Sequence, residues 1–287
     1  MAHQGVLHEY TRSKVAFEFA SLGHEKVVVF IGGLTDGLLT VPYIPVLAER
    51  LGQIGWSFVQ IQFTSSFKGF GVSSLNQDIT DIRALVEYLR SERGGARSKI
   101  VIFGHSTGSQ DVMHYLLNCG DTVDAGIMQA PVSDREAFGS FMDPQVADRL
   151  NARAKSLVLK GQGFEILPRE YAQYMMETPI SAYRWCSLML PEGDDDYFSS
   201  DLKADRLSST FGKIKKPFLV AYGEKDEFAP EFVDKSRLIE SWREHSDTKF
   251  WSQNSGIVKG ASHRVDLDAS REHLLEMVTA FLKEFEL

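Results

Sequence analysis

Apolar residues along this chain fall into two alternating spacings. Largely apolar runs occur at Lys26–Ile31 (KVVVFI), Lys99–Phe103, Ala125–Ala130 and Phe218–Tyr222, and Phe58–Phe63 reads as a second central strand. Such runs predict strands covered on both faces. Between them the spacing becomes helical. Val46, Leu47, Leu51 and Ile54 predict a helix over Val46–Ile54, and Leu75, Ile79, Ile82, Leu85, Val86 and Leu89 predict a longer one up to Arg90, capped by Ser74 and stopped by Gly94-Gly95. Further helices are expected at Val112–Leu117, around Phe232–Trp242 and over Arg271–Phe285. An opening hairpin is expected from Val6–Tyr10 and Lys14–Phe19, and a short late strand near Gly256–Lys259. Strand and helix taking turns predict an α/β fold: a mostly parallel central sheet with helices on both faces.

The alternation stops between about Ser133 and Lys213, where helical patches occur without a convincing buried strand. An insertion between two late strands predicts a helical cap over the active edge of the sheet, within a single domain spanning 1–287.

Composition narrows the partners. The net charge is −8, from 31 basic and 39 acidic side chains, and no basic run offsets it. An acidic surface repels phosphate backbones, which argues against nucleic acid as a partner. The two cysteines, Cys119 and Cys186, are too few for a disulfide framework or a zinc site and fit a reducing compartment. The first ten residues lack a signal-peptide core, and the longest apolar run, Val27–Ile31, is far short of a membrane span. The expectation is a cytoplasmic protein without membrane contact, monomeric or homodimeric.

Candidate chemistry centres on Gly104-His105-Ser106-Thr107-Gly108, a G-x-S-x-G sequence directly after an apolar strand and before a helix. That context predicts a nucleophile elbow. Both glycines are needed where the chain turns sharply, and the serine is lifted above the sheet edge. His105 is expected to pack beneath the serine. A serine hydroxyl needs a base. His263, in the loop between the last strand and last helix, is the best placed of the eight histidines; His245 and His273 lie within or at the ends of predicted helices, and His114 reads as a packing or surface group. Asp226, in the loop after Phe218–Tyr222, is the favoured acid, with Glu224 and Asp266 as alternatives. The order Ser106, Asp226, His263 is the hydrolase order. Backbone donors for an oxyanion are expected from Thr107 and from the loop Gly32-Gly33-Leu34-Thr35-Asp36-Gly37, with the Leu34 amide favoured and Gly33 the alternative. No metal or cofactor is called for.

These features together resemble the α/β-hydrolase superfamily over essentially the whole chain, including Ser65–Ser73, which is similar to the Gly-x-Gly-x-Ser loop of that superfamily. Gly104–Gln110 (GHSTGSQ), Gln129–Arg135 (QAPVSDR) and Asp194–Asp201 (DDDYFSSD) resemble a fungal branch that includes intracellular siderophore esterases. The resemblance implies a serine esterase that cuts ester bonds of a fusarinine-type hydroxamate siderophore, with Ser106, Asp226 and His263 as its triad. Any iron would belong to the substrate. The remaining alternatives are another acyl hydrolase (thioesterase, lipase or acyltransferase) and a low-turnover ligand receptor. Within the insertion, the acidic run Glu192–Asp196 reads either as a magnet for substrate amines or as a solvated loop. Phe164, Tyr171, Tyr174, Tyr183, Trp185 and Tyr197 read as pocket lining or as the cap's own core.

Overall fold

The computed structural model describes residues 2–20 and 23–287. Eight strands form one sheet: β1 (Gly5–Thr11), β2 (Lys14–Phe19), β3 (Lys26–Ile31), β4 (Trp56–Gln62), β5 (Lys99–His105), β6 (Ala125–Gln129), β7 (Phe218–Gly223) and β8 (Gly256–Val258). Their spatial order is β1-β2-β4-β3-β5-β6-β7-β8. The first two join antiparallel, and β4 through β8 run parallel to β3. Chain direction across the sheet reverses at β3, with β4 on one side and β5 on the other. Open α/β sheets leave a crevice at such a switch, outside the carboxyl ends of the strands.

Side chains of β3 show why the run is apolar throughout. Val27, Val29 and Ile31 enter one core, shared with α2 (Leu75–Arg90), α3 (Gly108–Cys119) and α9 (Lys235–His245). Val28 and Phe30 enter the opposite core, shared with α1 (Ile44–Gln53) and α10 (Asp268–Glu284). Each strand residue thus buries on one face or the other, at ~25 cal/mol per Å² of apolar surface removed from water. Ser74 caps α2 by accepting from the Gln77 amide at 3.1 Å. That helix ends at Arg90; Gly94 and Gly95 belong to the tight turn that follows, where Gly95 adopts φ +95°.

Between β6 and β7 the chain forms α4 (Asp134–Ser140), α5 (Pro144–Leu159), α6 (Arg169–Ala172), α7 (Ala182–Met189) and α8 (Ala204–Ser209). This insertion builds its own core, including Leu150, Ala154, Tyr171, Met175, Trp185 and Leu188, with Phe70 reaching in from the β4–α2 loop. Tyr171 and Trp185 meet edge to face at 4.7 Å. Arg184 of α7 docks it to the domain below. The side chain is buried, donates from Nε to the Phe70 carbonyl at 3.1 Å, and pairs with Asp195 at 2.5 Å.

Because Asp195 is as buried as its partner, removing the guanidinium strands a charge. Arg184→Met is expected to lower unfolding stability by about 3–5 kcal/mol, measured by urea denaturation, with part of the loss recovered when Asp195→Asn is added. An Arg184→Met protein as stable as the parent would contradict this docking role.

Candidate active site

Strand β5 runs into α3 through a turn that only glycine tolerates at both ends. A Cβ on Gly104 would sit 2.0 Å from the Gly108 carbonyl oxygen, and one on Gly108 would sit 2.4 Å from that of Ile31. The intervening Ser106 adopts φ +56°, a left-handed conformation costly for a non-glycine residue. Its amide is held by the Gln129 carbonyl at 3.0 Å. The β3–α1 loop then presses against the serine so closely that a Cβ on Gly33 would lie 2.7 Å from Ser106 Cβ.

His263 and Asp226 arrive from the loops after β8 and β7. His263 Nδ1 lies 3.0 and 2.9 Å from the two carboxylate oxygens of Asp226. A carboxylate there accepts, so Nδ1 carries hydrogen and Nε2 is left as the lone-pair nitrogen. Both side chains are buried. Asp226 also accepts from the Phe228 amide at 3.0 Å, and the Phe228 ring packs 4.6 Å from the imidazole. The His263 amide donates to Glu227 at 2.9 Å. The other acids considered in the sequence are engaged elsewhere: Glu224 accepts from the Gly260 amide and Asp266 from the Ser262 hydroxyl.

Ser106 and His263 line one cavity of about 90 Å³, together with Gly33, Leu34, Asp36, His105, Val132, Asp134, Phe138, Met176 and Arg264 among others. No hydrogen bond joins Ser106 Oγ to the imidazole among the described residues. Such contacts are commonly loose before substrate binds. The Leu34 and Thr107 amides are without backbone or side-chain acceptors among the described residues, whereas the Gly33 amide donates to Asp36 at 2.9 Å. That leaves Leu34 the freer donor. Thr107 immediately precedes α3, where unpaired amides and the helix dipole favour negative charge.

His105 packs below this group, buried, with Nδ1 2.5 Å from Gln129 Oε1 and its ring 5.0 Å from that of His263. Burial, reinforced by the neighbouring imidazole, pulls it down to about 3, so it stays neutral at ordinary pH. His114 bonds Tyr197 and Asn76 well away from the cavity. Gln129, quoted above only for the resemblance of its segment, connects three parts of the site. It accepts from Tyr43 at 2.8 Å, meets His105, and donates to the His263 carbonyl at 3.3 Å. Asp36 and Asp134 were likewise unmarked as wall residues. Burial pushes the Asp36 carboxyl up, although the Gly33 amide and Arg264 oppose it. Arg264 Nη2 lies 3.3 Å from that carboxylate.

The acidic run divides between surface and interior, with Glu192 and Asp194 exposed. Asp195 and Asp196 are buried and neutralised internally, by Arg184 and Ser187 in one case and by Ser199, the Glu192 amide and Arg135 in the other. Asp194 accepts from Tyr183. Asp195 and Asp196 are therefore not open to amines, because their charges are used to fold the segment. The six aromatic side chains are also absent from the cavity wall. Tyr171 and Trp185 lie in the insertion core with Tyr174 at its edge, Tyr197 joins the main core, and Phe164 is 86% exposed.

Order of strands, elbow and the three converging loops define an α/β-hydrolase, and its relatives place it among the carboxylic ester hydrolases. The chain belongs to the family described as "Protein of unknown function (DUF1749)", whose model matches residues 1–283. It is 40% identical to a UPF0613 protein of Schizosaccharomyces pombe over 98% of this chain and 96% of that one. It is 33% identical to the fusarinine C esterase sidJ of Aspergillus fumigatus, over 93% and 91% of the two chains. Among solved structures, the siderophore hydrolase EstB from Aspergillus fumigatus superposes with a TM-score of 0.83 at 33% identity, covering 99% of this chain and 98% of its own. No helix among the described residues is long and apolar enough to cross a membrane.

A depressed imidazole pKa has a measurable sign. The folded state binds the proton of His105 only near pH 3, the unfolded chain near pH ~6.5. Its contribution to stability is therefore complete above the unfolded value and is lost as pH falls through this window. The His105 ring resonances are expected not to titrate between about pH 5 and 8 in NMR spectra, in contrast to an ordinary histidine; a midpoint near 6.5 would refute the buried neutral ring.

Proposed function

We propose that this protein is a cytoplasmic serine esterase that opens the ester bonds of a hydroxamate siderophore of the fusarinine type. The observation that carries the reading is the His263–Asp226 pair, hydrogen-bonded through both carboxylate oxygens, in the wall of the cavity that holds Ser106 on its strained turn. The names of two Aspergillus fumigatus relatives supply the substrate class. The free thiols of Cys119 and Cys186 fit a reducing compartment.

In this reading Ser106 Oγ attacks the ester carbonyl while His263 Nε2 takes its proton. Asp226 keeps the imidazole in that tautomer and stabilises the imidazolium. The oxyanion is held by the Leu34 and Thr107 amides, each such donor contributing roughly 2.7–4 kcal/mol to lowering the barrier. His263 then protonates the leaving alcohol, and water, activated by the same base, hydrolyses the acyl-enzyme. The insertion is a cap spanning about 133–213 that roofs the cavity through Phe138 and Met176. No cofactor takes part, and iron enters only as cargo of the substrate.

Mass spectrometry after fluorophosphonate treatment is expected to place the adduct on Ser106, and Ser106→Ala to abolish both labelling and turnover. Asp226→Asn, which permits the wrong tautomer, should lower kcat by about 10⁴-fold. Incubation with ferric and iron-free fusarinines should yield the ring-opened and monomeric hydroxy acids. Labelled enzyme that hydrolyses simple esters but leaves every fusarinine intact would overturn the substrate assignment alone. Failure of Ser106 to label would overturn the mechanism.

A further inference from the structure

One ionisable group in the cavity wall has no part in the mechanism above. Asp134 is the first residue of α4, at the root of the insertion, and is only 6% exposed. Its Oδ2 accepts from Gln110 Nε2 at 2.6 Å and its Oδ1 accepts from Thr107 Oγ1 at 3.4 Å. Both donors belong to the N-terminal end of α3, one from its first turn and one from the residue just before it, and Thr107 carries the amide assigned to the oxyanion. Gln110 is fixed further by donating to the Val132 carbonyl at 3.2 Å.

The surrounding cations are committed elsewhere. Arg135, next in sequence, pairs with Asp196 and Asp201; Arg184 pairs with Asp195; Arg264 pairs with Asp36. No basic side chain among the described residues forms an ion pair with Asp134. A carboxylate there would be a buried anion held by two neutral groups, at the same helix end that must accept the negative charge of the transition state. Two anions at one helix terminus compete for the same dipole and repel each other, and burial of the Asp134 carboxyl leaves little water to screen them.

Resting on the serine-esterase reading, we infer that Asp134 is a positioning residue of the oxyanion hole, holding the start of α3 from the insertion side in its neutral, protonated form. Protonated on Oδ1, it donates to Thr107 Oγ1, still accepts from Gln110 on Oδ2, and adds no charge. Ionised, it opposes the oxyanion and slows acyl transfer. The groups facing it agree with a proton retained to unusually high pH. Burial pushes Asp134 up to about 7, Asp195 and Asp196 act in the same direction, and Arg184 and the Thr107 hydroxyl act against it. On the cavity side, His105 is neutral, His263 is paired with Asp226, and Asp36 with Arg264.

The test is the pH dependence of kcat for one chromogenic ester, such as para-nitrophenyl acetate, with the full chain from about pH 5.5 to 9.5. In the parent, kcat should fall toward alkaline pH, with a midpoint near 7 or above and about a tenfold loss by the alkaline end. Asp134→Asn keeps an acceptor for Gln110 but has no proton to lose, so its alkaline fall should vanish. The ratio of kcat at pH ~9 to that at pH ~7 should then exceed the parent ratio about fivefold. The limb should lie in kcat and not in KM, because the oxyanion exists only in the transition state. Asp134→Ala, which removes the anchor, should lower kcat across the range. Should the Asn variant fail to fold, the parent still decides: its Asp134 carboxyl ¹³C resonance must titrate with the midpoint of the kcat limb. An alkaline limb that persists in Asp134→Asn, a parent with no limb, or a carboxyl that titrates in the ordinary aspartate range would each overturn the inference. Those results would come from an enzyme that labels at Ser106 and turns over ester, and so would leave the esterase reading standing; absence of labelling and turnover would remove both.

Discussion

Backbone pressed on backbone at the β5–α3 turn is the constraint around which the site is arranged. Gly104 and Gly108 touch each other and the end of β3 where any side chain would collide. That contact forces the left-handed conformation of Ser106 and aims its hydroxyl away from the sheet. It also brings the β3 loop to the serine, so that the Leu34 amide and the start of α3 face one small volume. The strain is maintained because the strands on either side are covered on both faces and cannot slip. Moving β5 by one residue would exchange the two cores, putting Val101 and Phe103 where Ile100 and Ile102 belong.

Much of this was legible in the chain. Buried parallel strands leave uninterrupted apolar runs, and β2, β3 and the cap of α2 were placed to the residue. Boundaries drifted where packing rather than local preference decides them. Helix α3 starts four residues before its predicted start at Val112, because its first turn, Gly108-Ser109-Gln110-Asp111, is held by the elbow and by tertiary hydrogen bonds that no local pattern announces. The order Ser106, Asp226, His263 was readable because each follows a strand at the carboxyl edge. The walls were not. Gln129 sits in a strand, Asp134 in a helix start, and what each touches depends on a neighbour far away in sequence.

The acidic run shows the same limit from the other side. Three adjacent aspartates look like a surface feature, because isolated buried carboxylates are expensive. Here Asp195 and Asp196 are brought inside by guanidinium partners that stand eleven and more positions away, Arg184 and Arg135. Burying a pair of opposite charges contributes little net stability compared with apolar packing, but it tolerates only one arrangement of the partners. That selectivity suits a segment whose seat must be the same in every molecule.

Volume has a consequence for how a large substrate is processed. The space of about 90 Å³ beside Ser106 is narrow, walled on one side by Phe138 of α4 and by Met176. A molecule with several ester linkages would present them singly, its bulk remaining in solvent or lifting the roof. On the proposed reading, consecutive cleavages would demand release and re-entry, so that partially opened products should accumulate before full breakdown.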